Sequence, residues 1–440
     1  MQRWPGKVYS RLYRPIMYQL TKRYQSTAAK FDSSALPGTS PVDNVPITTK
    51  LEFLPSKAKS IIPKYRIMDT NGNIINKNEM PNFSDNQLIK MYKDMTMLET
   101  MDNILFQSQR QERISFYMTH RGEEATQIGS AAALDSGDLV YAQYREAGIL
   151  LYRGYKLHQF IDQCMGNARG SCKGIQMPIH YGSKDLNYVT ISSTVATQMP
   201  QAVGSAYAYK RAANEKCVVC YFGDGATSEG DAHAAFNFAA TLEVPIIFIC
   251  RNNGYAISTP SKDQYHSDGI ASRGTGYGMM AIRVDGHDLF AVYNANKAAR
   301  QMAVNENKPI LIEVMVDRFG PHSTSDDSSA YRSEEKMRHH AKTIDPIERV
   351  RRYMDVRGCW NNEKEKTWRK EATDMVLKEL EQCEHIKRAS ITIMFDNVFE
   401  KVEPHLQKQM HELMQHVQQN HEASFLTLLS KYEQSCVPDK

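Results

Sequence analysis

Apolar runs and the polar breaks between them divide this chain into elements. Cys217 to Phe222 is short, apolar and rich in Val and aromatic residues, and it stops at Gly223-Asp224-Gly225, which reads as a strand ending in a turn. From about Asp231 to Leu242 small residues and Phe236 fit a helix. Pro245 then admits a second apolar run, Ile246 to Cys250, before the polar turn Arg251-Asn252-Asn253-Gly254-Tyr255. If the two strands are parallel neighbours joined by that helix, both turns fall at one edge of the sheet, where open α/β sheets bind ligands. Asp224 and Asn253 can then meet.

Further strands are expected at Asp138–Tyr141, Ala281–Val284 and Pro309–Val316, with a helix from Asp288 to about Asn305. Asn71-Gly72, between two short apolar segments, predicts a hairpin within Tyr65–Lys77. Ser84 with Gln87 three positions on is a capping-box pattern, and Leu88, Met91, Met95, Leu98 and Leu105 follow in near-helical steps. After Pro200, Ala202, Gly204, Ser205, Ala206 and Ala208 give a helix face that neighbours can approach closely. From Asp345 onward the pattern is helical and charged: Pro346 to Gly358, Asn361 to Glu384, and Glu403 to Leu429 with Leu406, Met410, Leu413, Met414 and Val417 on one stripe. The fold expected is α/β, a mainly parallel central sheet flanked by helices over residues 51–345, with a helical C-terminal extension over 346–440.

Composition adds a leader. Residues 1–31 carry Arg3, Lys7, Arg11, Arg14, Lys22, Arg23 and Lys30 with no Asp or Glu, the composition of a mitochondrial targeting segment. Residues 32–50, rich in Pro, Ser, Thr and Gly, read as a flexible connector. The formal net charge of +4 comes largely from the leader, so the body offers no argument for nucleic acid. No apolar run approaches the ~20 residues of a membrane span. Eight cysteines lie at scattered spacings, and Cys217 and Cys220 fall inside an expected strand, so they read as core thiols.

The chemistry concentrates at the two turns. A carboxylate (Asp224), an amide oxygen (Asn253) and a nearby main-chain carbonyl suit a small hard cation such as magnesium, while Arg251 and an open glycine backbone suit a diphosphate. GDG followed about thirty residues later by NN resembles the signature of thiamine diphosphate enzymes. The resemblance implies that Asp224, Asn253 and the carbonyl of Tyr255 hold magnesium, with Gly223, Gly225, Ala226 and Arg251 on the cofactor. The strand ending at Tyr141 exits into Gln143-Tyr144-Arg145-Glu146, similar to the YRE motif of the alpha subunits of heterotetrameric 2-oxoacid dehydrogenases. That likeness puts Arg145 on the cofactor phosphates, Tyr144 near cofactor and substrate as a catalytic residue, and Gln143 beside them.

Two further stretches sharpen the resemblance to branched-chain members of that family. In Ile191–Gln198, oxygens clustered before a helix either cap it or bind an ion or a ring edge. By resemblance Ser193, also catalytic, and Val195 meet the aminopyrimidine side of the cofactor, and Ser192, Thr197 and Gln198 hold potassium. Arg318 is followed by the run His322–Arg332, HSTSDDSSAYR, which looks like the phosphorylation loop of the branched-chain subfamily. The likeness makes His322 a catalytic, cofactor-contacting histidine, Arg318 a neighbour of the diphosphate, and Ser323 and Ser333 phosphorylation sites. A phosphate carrying about −1.5 to −2 charge beside a diphosphate would repel it and disorder the loop. Three positions depart from the family pattern: Ile175 where Arg is expected, Thr194 where Pro is, and Pro321 where a second His is.

The resemblance implies an alpha subunit that binds thiamine diphosphate, Mg2+ and K+ and completes its site only in an α2β2 heterotetramer, whose beta subunit supplies a glutamate. It would decarboxylate branched-chain 2-oxo acids in the mitochondrial matrix and pass the acyl group to a lipoyl-bearing acyltransferase core, under a regulatory kinase and phosphatase. Two alternatives stand beside it. One is the same chemistry on pyruvate; the other is a catalytically degenerate paralogue that only binds the beta subunit, suggested by Ile175, Thr194 and Pro321.

Overall fold

The computed structural model describes residues 61–419 and 423–433, so the expected targeting segment, the connector and the start of the domain near Leu51 lie outside the described residues. Among the described residues there are eight strands: β1 (Lys64–Tyr65), β2 (Leu139–Tyr141), β3 (Val218–Gly223), β4 (Ile246–Asn252), β5 (Tyr255–Ala256), β6 (Thr259–Pro260), β7 (Met280–Asp285) and β8 (Ile310–Met315). Six of them form one sheet in the order β1-β7-β8-β4-β3-β2, every neighbour pair parallel, and β5 and β6 pair antiparallel beside it. This is the parallel α/β fold expected.

The central strands are apolar throughout because both faces of the sheet are covered. Val219, Tyr221, Ile247, Ile249 and Ile312 pack into one core with the helices Asp85–Arg110, Glu124–Ala133 and Leu289–Glu306. Val218, Cys220, Phe222, Ile246 and Phe248 pack on the opposite face, against the helices Gln198–Ala212 and Gly230–Leu242. Cys217 belongs to the first core and Cys220 to the second. The two thiols therefore face opposite sides of the sheet, and their spacing reflects the strand's alternation rather than a redox pair.

Local signals hold where a cap fixes them. The Ser84 hydroxyl accepts from the Gln87 amide at 3.3 Å while the Gln87 side chain accepts from the Ser84 amide at 3.0 Å, and Leu88, Met91, Met95, Leu98 and Leu105 of that helix are buried. Asp288 caps Leu289–Glu306 by accepting from the amides of Phe290 and Ala291. The expected hairpin forms in shortened form: Met68 and Ile74 bridge antiparallel around Gly72 at φ +86°, with the Asp69 amide donating to the Asn73 carbonyl at 2.9 Å and the Ile75 amide to the Ile67 carbonyl at 2.8 Å, while Tyr65 is taken with Lys64 into the sheet edge beside β7. β4 also runs two residues further than expected, so Arg251 and Asn252 are strand residues and the turn begins at Asn253.

The C-terminal region is helical. Pro346–Arg357 starts on an Asp345 cap and stops at Gly358, and Asn362–Glu384 buries Ala372, Val376, Leu380 and Cys383. Where one helix was expected from Glu403 to Leu429, Pro404–Gln419 and Ala423–Leu429 are helical, with residues 420–422 outside the described ones. The stripe Leu406, Met410, Leu413, Met414 and Val417 is half-buried.

Candidate active site

Parallel pairing with Gly223 opposite Arg251 sets the ends of β3 and β4 side by side. The exit of β2 joins them on one flank and the segment after β8 on the other. Together they enclose a cavity of about 400 Å³ whose walls include Asp224, Asn253, Tyr255, Arg145, Arg318 and His322. Gln143, Tyr144, Ser193, Val195, Gly223, Gly225, Ala226 and Arg251 line the same cavity. Every residue expected to contact thiamine diphosphate or magnesium thus meets in one place.

Asp224 is almost fully buried, and that burial raises its carboxyl above the ordinary range. Its Oδ2 accepts from Gln264 Nε2 at 2.9 Å, and Asn253 Oδ1 accepts from the Tyr255 amide at 3.2 Å. Glycine is required at 225, because a Cβ there would lie 2.7 Å from that of Ala256. Among the described residues no group of three His, Cys, Asp or Glu side chains can hold a metal. The donor set offered here is instead one carboxylate, one amide oxygen and one carbonyl, all hard oxygen ligands that leave room for phosphate oxygens.

The three arginines of the cavity differ in their charge balance. Arg251 is buried between two carboxylates, with Nη1 2.7 Å from Glu123 and Nε 2.5 Å from Glu146. Burial opposes its charge, but Glu146 and Glu123 outweigh that cost and hold its pKa above the ordinary value. Arg145 instead donates to the carbonyls of Thr119, at 2.6 Å, and His322, and Arg318 to the carbonyl of Ile257 at 2.9 Å and the Tyr331 hydroxyl at 2.7 Å. Neither forms an ion pair among the described residues, and burial lowers the pKa of each. Two guanidinium charges without carboxylate partners in one cavity make an anion site.

His322 stands between them. Burial, then Arg145 and Arg318, push its pKa down to about 3, so the imidazole is neutral. Its ring meets that of Tyr144 edge to face, centroids 5.8 Å apart. The loop carrying it is tied down: the His322 amide donates to Asp326 at 2.7 Å, and the Tyr331 hydroxyl donates to the same carboxylate at 2.7 Å. The Thr324 amide also reaches the Tyr117 carbonyl at 3.0 Å, and the Tyr117 amide returns to the Thr324 hydroxyl at 3.1 Å. Ser323 is buried and Ser333 exposed.

Comparison with known proteins agrees with this geometry. Residues 92–392 match the family model for the dehydrogenase E1 component. The chain is 54% identical over 397 residues to the Homo sapiens 2-oxoisovalerate dehydrogenase subunit alpha, mitochondrial, covering 90% of this chain and 88% of that protein. It is 56% identical over 369 residues to the Bos taurus protein of that name, covering 84% of this chain and 81% of the relative. The Caenorhabditis elegans protein of the same name is 53% identical over 387 residues, covering 87% of this chain and 90% of the relative. The chain belongs to the dehydrogenase E1 family. That family is thiamine diphosphate-dependent.

The structure of this E1 chain also shows residues lining the cavity or packed behind its walls to which sequence reasoning gave no role. Glu123 and Glu146 neutralise Arg251, and Glu146 further accepts from the amides of Gln143 and Tyr144 at 3.0 and 2.8 Å, which fixes the exit of β2. Gln264, Phe116, Met118 and His180 carried no usable signal, because each reaches the site from a loop or short helix through tertiary packing alone. The expected potassium residues lie apart from the cavity lining: Thr197 Oγ1 donates to the Thr194 carbonyl at 2.9 Å, Gln198 Nε2 to the Tyr221 carbonyl at 3.0 Å, and Ser192 is exposed. Of the three departures, Ile175 and Thr194 are exposed and Pro321 is half-buried, and none of the three lines the cavity.

Proposed function

We propose that this chain is the alpha subunit of a thiamine diphosphate-dependent branched-chain 2-oxoacid dehydrogenase, oxidatively decarboxylating 3-methyl-2-oxobutanoate and related acids. The observation that carries this reading is the pairing, in one cavity, of two guanidinium groups without carboxylate partners and the oxygen set of Asp224, Asn253 and Tyr255. The first suits a diphosphate and the second suits the magnesium ion that a diphosphate brings with it. The residues present therefore fit the cofactor, and its thiazolium supplies the electron sink for loss of carbon dioxide.

The chain's own residues bind, orient and keep charge in place. Asp224, Asn253 and the Tyr255 carbonyl hold the metal, and Arg145 and Arg318 hold the diphosphate. Gly223, Gly225 and Ala226 let the backbone come close to it. Arg251, neutralised by Glu123 and Glu146, braces the wall rather than supplying net charge. Ser193 and Val195 face the aminopyrimidine side, with Gln143 at the turn where its Oε1 accepts from the Gly223 amide at 2.8 Å. His322 and Tyr144 stand where the substrate enters. The two guanidinium donors near His322 Nδ1 make that nitrogen the acceptor, so the ring proton sits on Nε2, available to a substrate oxygen.

Several finer assignments belong to the same reading. Ser192, Thr197 and Gln198 bind a structural potassium ion at the start of the helix Gln198–Ala212. The relatives are named mitochondrial; with the acid-free leader, this supports a location in the mitochondrial matrix. The beta subunit completes an α2β2 tetramer and the lipoyl-bearing core receives the acyl group. A kinase and a phosphatase act on Ser323 and Ser333.

The test is co-expression with the beta subunit, followed by decarboxylation assays on 3-methyl-2-oxobutanoate and on pyruvate. Preference for the branched acid is expected. Preference for pyruvate would move the chain to the pyruvate branch, and cofactor binding without turnover of either acid would make it a degenerate binding subunit.

A further inference from the structure

His180 lines the active-site cavity and is almost fully buried, yet no role above uses it. Its two ring nitrogens have different partners. Nδ1 lies 3.1 Å from the main-chain carbonyl of Pro178, and Nε2 lies 2.8 Å from Ser193 Oγ. A carbonyl can only accept, so a neutral ring carries its proton on Nδ1 and leaves a lone pair on Nε2. The Ser193 hydroxyl then donates to that lone pair. The other acceptor near the hydroxyl, Met177 Sδ, is 3.9 Å away, and a thioether sulfur accepts weakly.

The consequence concerns Ser193 more than His180. A hydroxyl free to rotate serves either as donor or as acceptor. With its proton engaged by His180, the Ser193 oxygen can only accept from whatever enters the cavity. We propose that His180 is a positioning residue for the reaction, holding the Ser193 hydroxyl proton so that the oxygen accepts a hydrogen bond from an N–H or O–H group of the bound cofactor or reacting acyl group. This rests on the reading of Ser193 as a cofactor-side residue. It also explains why a buried histidine with a defined tautomer stands behind Ser193 in a site whose other histidine, His322, presents the opposite tautomer.

Two substitutions separate this role from a purely structural one. Asn reproduces the position of Nδ1, so His180→Asn keeps a donor for the Pro178 carbonyl but stops short of Ser193. Gln reproduces the position of Nε2, so His180→Gln keeps an acceptor for Ser193 but loses the tie to Pro178. In the α2β2 holoenzyme, kcat and KM for 3-methyl-2-oxobutanoate are measured for both, for Ser193→Ala, and for Ser193→Ala combined with His180→Asn. The proposal expects His180→Asn to lower kcat about tenfold with KM within about twofold, His180→Gln to stay within about threefold of wild type, and Asn to add nothing once Ser193 is Ala. The reverse order of Asn and Gln, equal effects of the two, or full additivity with Ser193→Ala overturns it. An Asn variant that does not assemble also counts against it, since His180 would then serve the loop and not Ser193. A wild-type tetramer that decarboxylates no 2-oxo acid would instead sink the functional reading on which the proposal rests.

Discussion

Nη2 of Arg145, at the exit of β2, lies 3.3 Å from Nδ1 of His322, which the chain reaches only after β8. Nη1 of Arg318 approaches the same nitrogen at 3.4 Å. A cationic imidazole would be buried there and face two guanidinium groups with one carboxylate, Asp326, in opposition. His322 is therefore held neutral by its surroundings, and the loop that carries it is sensitive to any charge placed there.

That sensitivity has a sign in pH. His322 has its pKa lowered from 6.5 to about 3, so on acidification the opened loop takes up a proton that the closed loop refuses. The closed form should lose stability as pH falls through this window. Asp326, lowered from 3.8, adds a loss of its own only at the acid end of that window, as pH falls through 3.8 and below. Amide protection factors over residues 320–333 of the tetramer without added cofactor, with exchange rates corrected for their intrinsic pH dependence, should fall between pH 7 and pH 5, and His322→Gln should remove most of that change. Protection factors independent of pH in the wild type would contradict the account.

Asp224 should separate binding from stability. Its carboxylate is buried with one hydrogen bond from Gln264, a costly arrangement unless a cation completes it. Asp224→Ala is expected to weaken magnesium-dependent thiamine diphosphate binding by at least about a hundredfold while leaving the melting temperature of the cofactor-free tetramer unchanged or higher. Calorimetric titration with and without magnesium checks the first and a thermal melt the second. Tight magnesium-dependent binding by the variant would remove the metal assignment.

Arg251 should behave in the opposite way. Removing it leaves Glu123 and Glu146 buried without their counter-charge, so Arg251→Met should cost roughly 3–5 kcal/mol in denaturant unfolding. A triple change that also makes Glu123 and Glu146 into Gln should recover much of that loss. If Arg251→Met leaves stability intact and abolishes only cofactor binding, the arginine is a phosphate ligand and not a brace.

Ser323 is buried beside His322 in the closed loop, with its Oγ accepting from the Ser325 amide at 3.2 Å. A kinase can reach it only when the loop opens. Weakening the Thr324–Tyr117 tie with Thr324→Val should raise both protease cleavage within residues 320–333 and the rate of phosphorylation at Ser323. Ser323→Glu should abolish decarboxylation and open the loop to protease without lowering the global melting temperature. A Ser323→Glu tetramer with normal turnover would show that charge at this position is tolerated.

The strands were legible because both faces of the sheet are covered, which makes Val218–Phe222 and Ile246–Cys250 continuous apolar runs with sharp ends. Helix starts were legible where a side chain caps them, as at Ser84 and Asp288. The turn at Asn71-Gly72 was legible for the same reason of locality, and residues 67–69 do pair antiparallel with residues 73–75. What the local pattern does not announce is the strand Lys64–Tyr65 just before it, which forms the edge of the sheet beside β7, more than 200 positions away.

By itself the sequence determined the elements, the turns that hold chemistry and, through GDG, NN, YRE and the His322–Arg332 run, the family. These depend on near neighbours in the chain, where periodicity and turn chemistry act. The tertiary structure alone decided how charge and protons are shared. It paired Arg251 with Glu123 and Glu146 and left Arg145 and Arg318 without carboxylate partners. It also set His322 between two guanidinium groups and gave Ser193 a histidine partner. A pKa or a hydrogen-bond direction depends on what lies within a few ångströms in space, and these partners come together only once the sheet has formed.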